Sequence, residues 1–288
     1  MKTASGPLSL VPRQIGHELT KLFARPRTHI GFGMFLLFEI VILSLLQLPK
    51  PKASYQRLLE ANGYLFEHYF SGLTLAVVIV TSAAFLLGAL FLALVSGDIV
   101  AKEVEDGTMR MILNRPVPRA QLLGVKWFSC VVYTFTLLFF IGGTSLVVGL
   151  LFQGWGGLFV YSPLSGVFAI YEGGEGMARM ALAIFWLGLV SCVISSLGFF
   201  FSCLPVKPAA ASIVTLAIFF ADFVMSNLPQ FSDHQAWFLS FHMRTWSLIF
   251  EPVIPWARVL ESLLWLGAVN ASCLFLGVLI FSQRDFKS

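Results

Sequence analysis

The sequence predicts an all-α membrane protein with six transmembrane helices, an N-terminal interfacial helix and a short cytoplasmic helix between the second and third spans. Three observations predict it. The 288 residues are 57% hydrophobic and 12% charged, with mean hydropathy +0.83, whereas soluble domains carry about 25% charged residues. Six apolar runs reach the ~18 residues needed to cross a bilayer. The basic residues divide unevenly between the segments joining those runs, as the positive-inside rule requires. Irregular backbone facing lipid leaves polar groups unpaired, so a helical bundle is the architecture these lengths allow. No internal repeat is evident, and one membrane domain spanning residues 1–288 is expected.

The elements follow in order. Residues 13–28 carry Ile15, Leu19, Leu22 and Phe23 at helical spacing with Lys and Arg between them, the pattern of a helix lying among headgroups. Pro26 should end it. The spans are expected at about 29–48, 73–95, 127–152, 180–204, 209–228 and 259–281. Residues 49–72 read as an exposed loop. Residues 153–178 hold seven glycines and read as a loop without a fold of its own. Pro205-Val206-Lys207-Pro208 forces a tight turn between the fourth and fifth spans. Residues 229–255 are aromatic and amphipathic but interrupted by His242 and Arg244. They are expected to form one or two short helices at the outer interface.

With both termini inside, thirteen Lys and Arg fall on cytoplasmic segments and six on outer ones. A prokaryotic cytoplasmic (inner) membrane, with both termini on the cytoplasmic side, is the expected location. This orientation also accounts for the net charge of +4 without nucleic acid as a partner. The N-terminal region lacks the short apolar core and small-residue cleavage site of a signal peptide. Cys130, Cys192, Cys203 and Cys273 all fall within spans, where they read as small apolar packers.

Catalytic residues are not expected. The chain has no GxxxxGK[ST] loop to cradle phosphates, and no HExxH or GxSxG pattern. Asp233, His234 and His242 share one outer segment without metal-ligand spacing, so no metal site is expected. Glu39 is near the middle of the first span, Asp222 toward the outer end of the fifth, and Asn270 midway along the sixth. Polar groups at such depth face protein or a cavity. Two readings stand for them: lining a transport path, or hydrogen bonding between helices.

Ser96–Trp127 is the one long charged segment between apolar runs. Glu103, Glu105 and Asp106 precede Gly107-Thr108, a short apolar run from Met109 to Leu113 follows, and Pro116-Val117-Pro118-Arg119 ends it. That order reads as a helix of two to three turns, parallel to the membrane, made to sit in a cleft of a soluble partner. The alternative is a plain polar connector.

The pattern Glu103, Glu105, Gly107, Thr108, Ile112, Leu113, Pro116, Val117, Arg119, Leu123, Gly124 and Lys126 resembles the first cytoplasmic loop of type 2 ATP-binding-cassette (ABC) exporter permeases, with Val125 inserted before the lysine. The nearest likeness is to the small permeases of the nitrous-oxide-reductase maturation and gliding-motility kind. The resemblance implies a permease subunit that pairs with a second permease copy, as a homodimer or heterodimer, on two ABC ATPase subunits. ATP and Mg would bind those partners, and this chain would bind no cofactor. Asp106–Asn114 would be the coupling helix, with Glu103, Glu105, Asp106, Gly107, Thr108, Met111, Ile112, Leu113, Pro116, Arg119 and Lys126 in ATPase coupling. Glu103 and Glu105 would pair with Arg119, Lys126 or the N-terminal helix. The second and fifth spans would bound the substrate path. Two other classes remain open on sequence: a proton-coupled secondary transporter using Glu39 and Asp222, and a membrane anchor for an ATPase complex.

Overall fold

The computed structural model describes residues 7–113, 118–163 and 165–284. Among the described residues six helices are long and apolar enough to cross a membrane and one small hairpin is present, and the protein is an all-α multi-pass membrane protein. In chain order the elements are α1 (Pro7–Phe23), α2 (Pro26–Leu46), α3 (Pro49–Ala61) and α4 (Phe66–Tyr69). Then come α5 (Gly72–Ala83), a π-helical turn (Ala84–Gly88), α6 (Ala89–Glu105), α7 (Thr108–Leu113) and α8 (Arg119–Gln153). An antiparallel hairpin follows, β1 (Leu158–Ser162) and β2 (Val167–Tyr171), with Leu158 opposite Tyr171. The chain continues through α9 (Gly173–Cys203) and α10 (Pro208–Ser226). A 3-10 turn (Pro229–Trp237), α11 (Leu239–Met243) and a second 3-10 turn (Arg244–Phe250) lead to α12 (Trp256–Gln283).

The spans are α2, α5–α6 as one rod, α8, α9, α10 and α12. Prolines open α2, α3 and α10, where the missing amide hydrogen costs nothing. Pro26 thus begins the first span, and α1 has already ended at Phe23. The two longest rods outrun their apolar runs. At ~1.5 Å per residue, the 35 residues of α8 extend about 52 Å, against a ~30 Å hydrocarbon core. Most of the charged segment is therefore helical extension of the second and third spans.

Three expectations about the connections are overturned. Residues 49–72 form α3 and α4. Residues 153–178 hold the hairpin and the first turn of α9. The hairpin is tied down: Thr74 Oγ1 accepts from the Phe159 amide at 2.8 Å, and the Tyr171 hydroxyl donates to the Phe250 carbonyl at 2.6 Å. The helix after Gly107 begins at Thr108 rather than Asp106 and is helical through Leu113, and Asn114 lies outside the described residues. Asp106 caps α6 instead of starting that helix. Gly107, at φ +70°, makes the left-handed turn that lets the chain reverse.

The core is built on α6, α9 and α10. Gly97 makes the α6–α10 contact possible: a methyl there would meet the Ser212 backbone nitrogen at 2.9 Å. The Val100 and Ala101 amides donate to Ser202 Oγ of α9 at 2.9 and 2.8 Å. The α8–α9 seam is held by Trp127 Nε1 donating to Ser196 Oγ at 2.9 Å and by the Thr134–Ser195 hydroxyl pair at 2.7 Å. The end of the bundle carrying α1, α7 and the α9–α10 turn is the base.

Candidate functional site: the charged base

Lys126, in the second turn of α8, is wholly buried. Its Nζ donates to Glu103 Oε1 of α6 at 2.7 Å and to Glu18 Oε2 of α1 at 2.9 Å. Lys21, one turn beyond Glu18, also pairs with Glu103 Oε1. Burying charges is costly unless pairing and hydrogen bonds answer it. Here two ammonium groups meet two carboxylates, so the four residues hold α1, α6 and α8 together. Gln121 Nε2 donating to Gln14 Oε1 at 2.9 Å adds a second tie between α1 and α8. Arg27 pairs with the buried Asp98, fixing the start of α2 to α6.

The arrangement separates residues that the motif grouped. Glu103 is 2% exposed and structural in position. Glu105 and Asp106 are exposed and pair with Lys102 of their own helix at 2.8 and 3.0 Å. Such surface pairs contribute little. Thr108 Oγ1 donates to the Glu103 carbonyl at 3.2 Å, closing the turn from α6 into α7. On α7, Met109 is buried, Ile112 half-buried and Met111 66% exposed, so the short helix is anchored on one side and presents Met111 outward. Leu113 is its last residue, and Pro116 lies outside the described residues.

Arg119 does not join this cluster. Its guanidinium donates to the Ser282 carbonyl at 2.8 Å and the Arg284 carbonyl at 3.0 Å, satisfying the C-terminal end of α12. Arg284 in turn donates to the Cys203 and Leu204 carbonyls at 3.0 and 3.2 Å, closing α9. The base therefore links five of the long helices through side chains. Glu18, Lys21, Arg27, Asp98 and Arg284, with the Gln14–Gln121 pair, are contributors that sequence alone did not single out. Glu18 and Lys21 stand one helical turn apart on α1, which was the available signal.

Residues 18–236 match the family described as ABC-2 family transporter protein. The chain belongs to that family. The uncharacterized protein YhcI of Bacillus subtilis (strain 168) is 30% identical over 131 residues, which cover 44% of this chain and 41% of that protein.

The three polar residues within spans are placed apart from one another. Glu39 is buried at the α2–α8 contact, where its Oε1 accepts from Thr144 Oγ1 at 2.6 Å and Ser145 Oγ at 2.9 Å. Asp222 accepts the Leu239 and Ser240 amides, both at 2.8 Å, and so caps the N-terminus of α11. Asn270 is half-buried on α12, its Oδ1 without a partner among the described residues. His242 has both ring nitrogens engaged, by Ser262 Oγ and the Ala236 carbonyl at 2.9 Å each. Its ring stacks on Trp265. Among the described residues no three His, Cys, Asp or Glu groups gather in a metal-binding arrangement.

Proposed function

We propose that this permease is the membrane half of an ABC exporter, in which the base faces the cytoplasm and α7 is seized by an ATPase subunit that binds ATP and Mg. The observation that carries this reading is an exposed Met111 on α7, a helix tied through Thr108 to the Glu103 carbonyl, the residue whose side chain anchors the buried Lys126 cluster. A push on α7 reaches Thr108 and Glu103, and from Glu103 it reaches α1, α6 and α8 together instead of bending one helix. Packed charge networks of this kind move as a unit because partial separation strands a buried ion.

The assembly would be a pair of permease chains on two ATPases, set in a prokaryotic cytoplasmic membrane with both termini inside. The chain would act as a single permease domain with no cofactor of its own. The charged motif favours the small-permease branch that resembles the nitrous-oxide-reductase and gliding-motility systems. Asp222, committed to two amides, does not fit a proton-carrying role, which favours ATP over a proton gradient as the driving force.

Co-purification tests the reading. The full chain, extracted from its native membrane, should bring down ATP-hydrolysing activity. Met111→Asp should lose most of it while eluting as a folded particle of unchanged thermal stability. Equal recovery of ATPase activity with wild type and Met111→Asp would overturn the docking role of α7.

A further inference from the structure

At the end of the bundle opposite the base, a cavity of about 260 Å³ lies between α5, the π-helical turn, α9, α10 and the short segments before α12. The turn widens the second span where Thr81 and Ser82 bond back to the Val77 and Val78 carbonyls. Such π turns recur at functional sites. Phe85 of the turn packs on Phe223 of α10 with ring centroids 4.2 Å apart, and Trp246 adds to the apolar wall. Hydroxyls of Ser82, Ser191 and Ser247 also line it.

One charged residue, Arg244, is among the described lining. Its Nη2 donates to Ser226 Oγ at 2.9 Å, but its Nε is buried with no partner among the described residues. No described carboxylate is recorded as its ion-pair partner, and Asp222, whose charge it feels, already accepts two amides. Burial pulls the guanidinium below its ordinary pKa, as expected of a cation short of counter-charge. A second cavity of about 100 Å³ shares Ser165 and Arg244 with the first and adds Arg258. The guanidinium thus stands at the junction of an apolar chamber and a smaller, more polar one.

We infer that this paired cavity binds a single-chain anionic amphiphile, with its carboxylate or phosphate head against Arg244 and its apolar chain beside Phe85, Phe223 and Trp246. Charge complementarity selects the head, because an anion there supplies the counter-charge that the described residues do not place at ion-pair distance from the guanidinium. Size selects one chain: the larger chamber, at about 260 Å³, lies just below the ~300–1,000 Å³ typical of ligand sites, too small for both tails of a bilayer lipid. The inference concerns binding alone. It goes beyond the ATPase reading and is measured without ATP, so either can fail separately.

Quenching of Trp246 fluorescence tests it, with the full chain in nanodiscs of neutral phosphatidylcholine. The probes are 16-bromohexadecanoate, a chain-brominated lysophosphatidate and 16-bromohexadecanol. A saturable component that disappears in Trp246→Phe is expected for at least one anionic probe. The alcohol should bind at least 10-fold more weakly, and whichever anion is tighter identifies carboxylate or phosphate as the head. Arg244→Gln should weaken the anion at least 10-fold, and Arg244→Lys should recover part of the loss. Ser191→Leu fills the chamber without touching the guanidinium and should abolish saturable quenching, which keeps the test valid if Arg244→Gln fails to fold. Equal binding of alcohol and anions, unchanged affinity in a folded Arg244→Gln, or unchanged affinity in Ser191→Leu would each overturn the proposal.

Discussion

Lys126 of α8 and Glu103 of α6 are paired at 2.7 Å in a site where the lysine has no exposure and the glutamate 2%. The pair joins the helix that leads into α7 to the helix that leaves it. It also recruits Glu18 and Lys21 of α1. One buried cluster thus holds the N-terminal helix and two spans in a fixed relation at the root of α7.

Removing one partner of this cluster should be severe. Glu103→Ala leaves the wholly buried Lys126 ammonium with Glu18 as its remaining described carboxylate and should cost about 3–5 kcal/mol, read as a large drop in thermal unfolding temperature in detergent. Glu105→Ala removes only a surface pair and should stay within about 0.5 kcal/mol. The resemblance groups both glutamates in ATPase coupling, but only Glu105 stands on the surface, where its loss leaves the buried cluster intact. A Glu103→Gln/Lys126→Met double variant should recover much of the loss, because an apolar replacement leaves no orphan charge. Equal melting of the two alanine variants would remove the structural role assigned here.

Glu39 offers a second test. Its Oε1 accepts from two α8 hydroxyls, a task a glutamine carbonyl can take over. Glu39→Gln should therefore keep wild-type stability, and transport should be close to normal. Glu39→Ala takes the acceptor from Ser145 and leaves Thr144 with the Phe140 carbonyl of its own helix, and should destabilise by about 1–3 kcal/mol. Transport loss in a stable Glu39→Gln would instead make this carboxylate part of the substrate path.

Asp222 should behave as a cap. Replacing it with alanine exposes the Leu239 and Ser240 amides and should cost about 0.5–2 kcal/mol, loosening α11 and its contact with α12. Hydrogen exchange at residues 239–243 should quicken while the spans are unchanged. Unaltered exchange there would contradict the capping role.

The orientation is open to cysteine labelling. Reagents confined to the outside should reach cysteines placed at Trp155 and Gly174, and should miss those at Lys207 and Met111. All four positions are exposed on the folded chain. Labelling of Lys207→Cys from outside would invert the arrangement.

The spans were legible because each needs an uninterrupted apolar run, and composition reports that directly. Their ends were not. Apolar runs measure the stretch in lipid, so Ser96–Glu105 and Arg119–Lys126, helical but polar, looked like loop. The hairpin was hidden by Gly154, Gly156 and Gly157, which drew attention from Leu158–Ser162 and Val167–Tyr171. At the base, Glu103 and Lys126 both stood out from the motif. Their partners did not, because Glu18 lies 108 residues from Lys126 and no local spacing encodes a contact between α1 and α8. Arg119 sat in the motif yet closes α12, a role visible only once the C-terminal helix is in place.

The central claim is that α7 is where an ATPase takes hold. A photo-crosslinking amino acid introduced at Met111 in the full chain, activated in the native membrane, tests this most directly. The account predicts a single dominant adduct with a P-loop ATPase subunit, one that weakens when the same substitution is carried on a Glu103→Ala background. Adducts with lipid alone, or a Met111 yield no greater than that from a control position at Trp155, would contradict it.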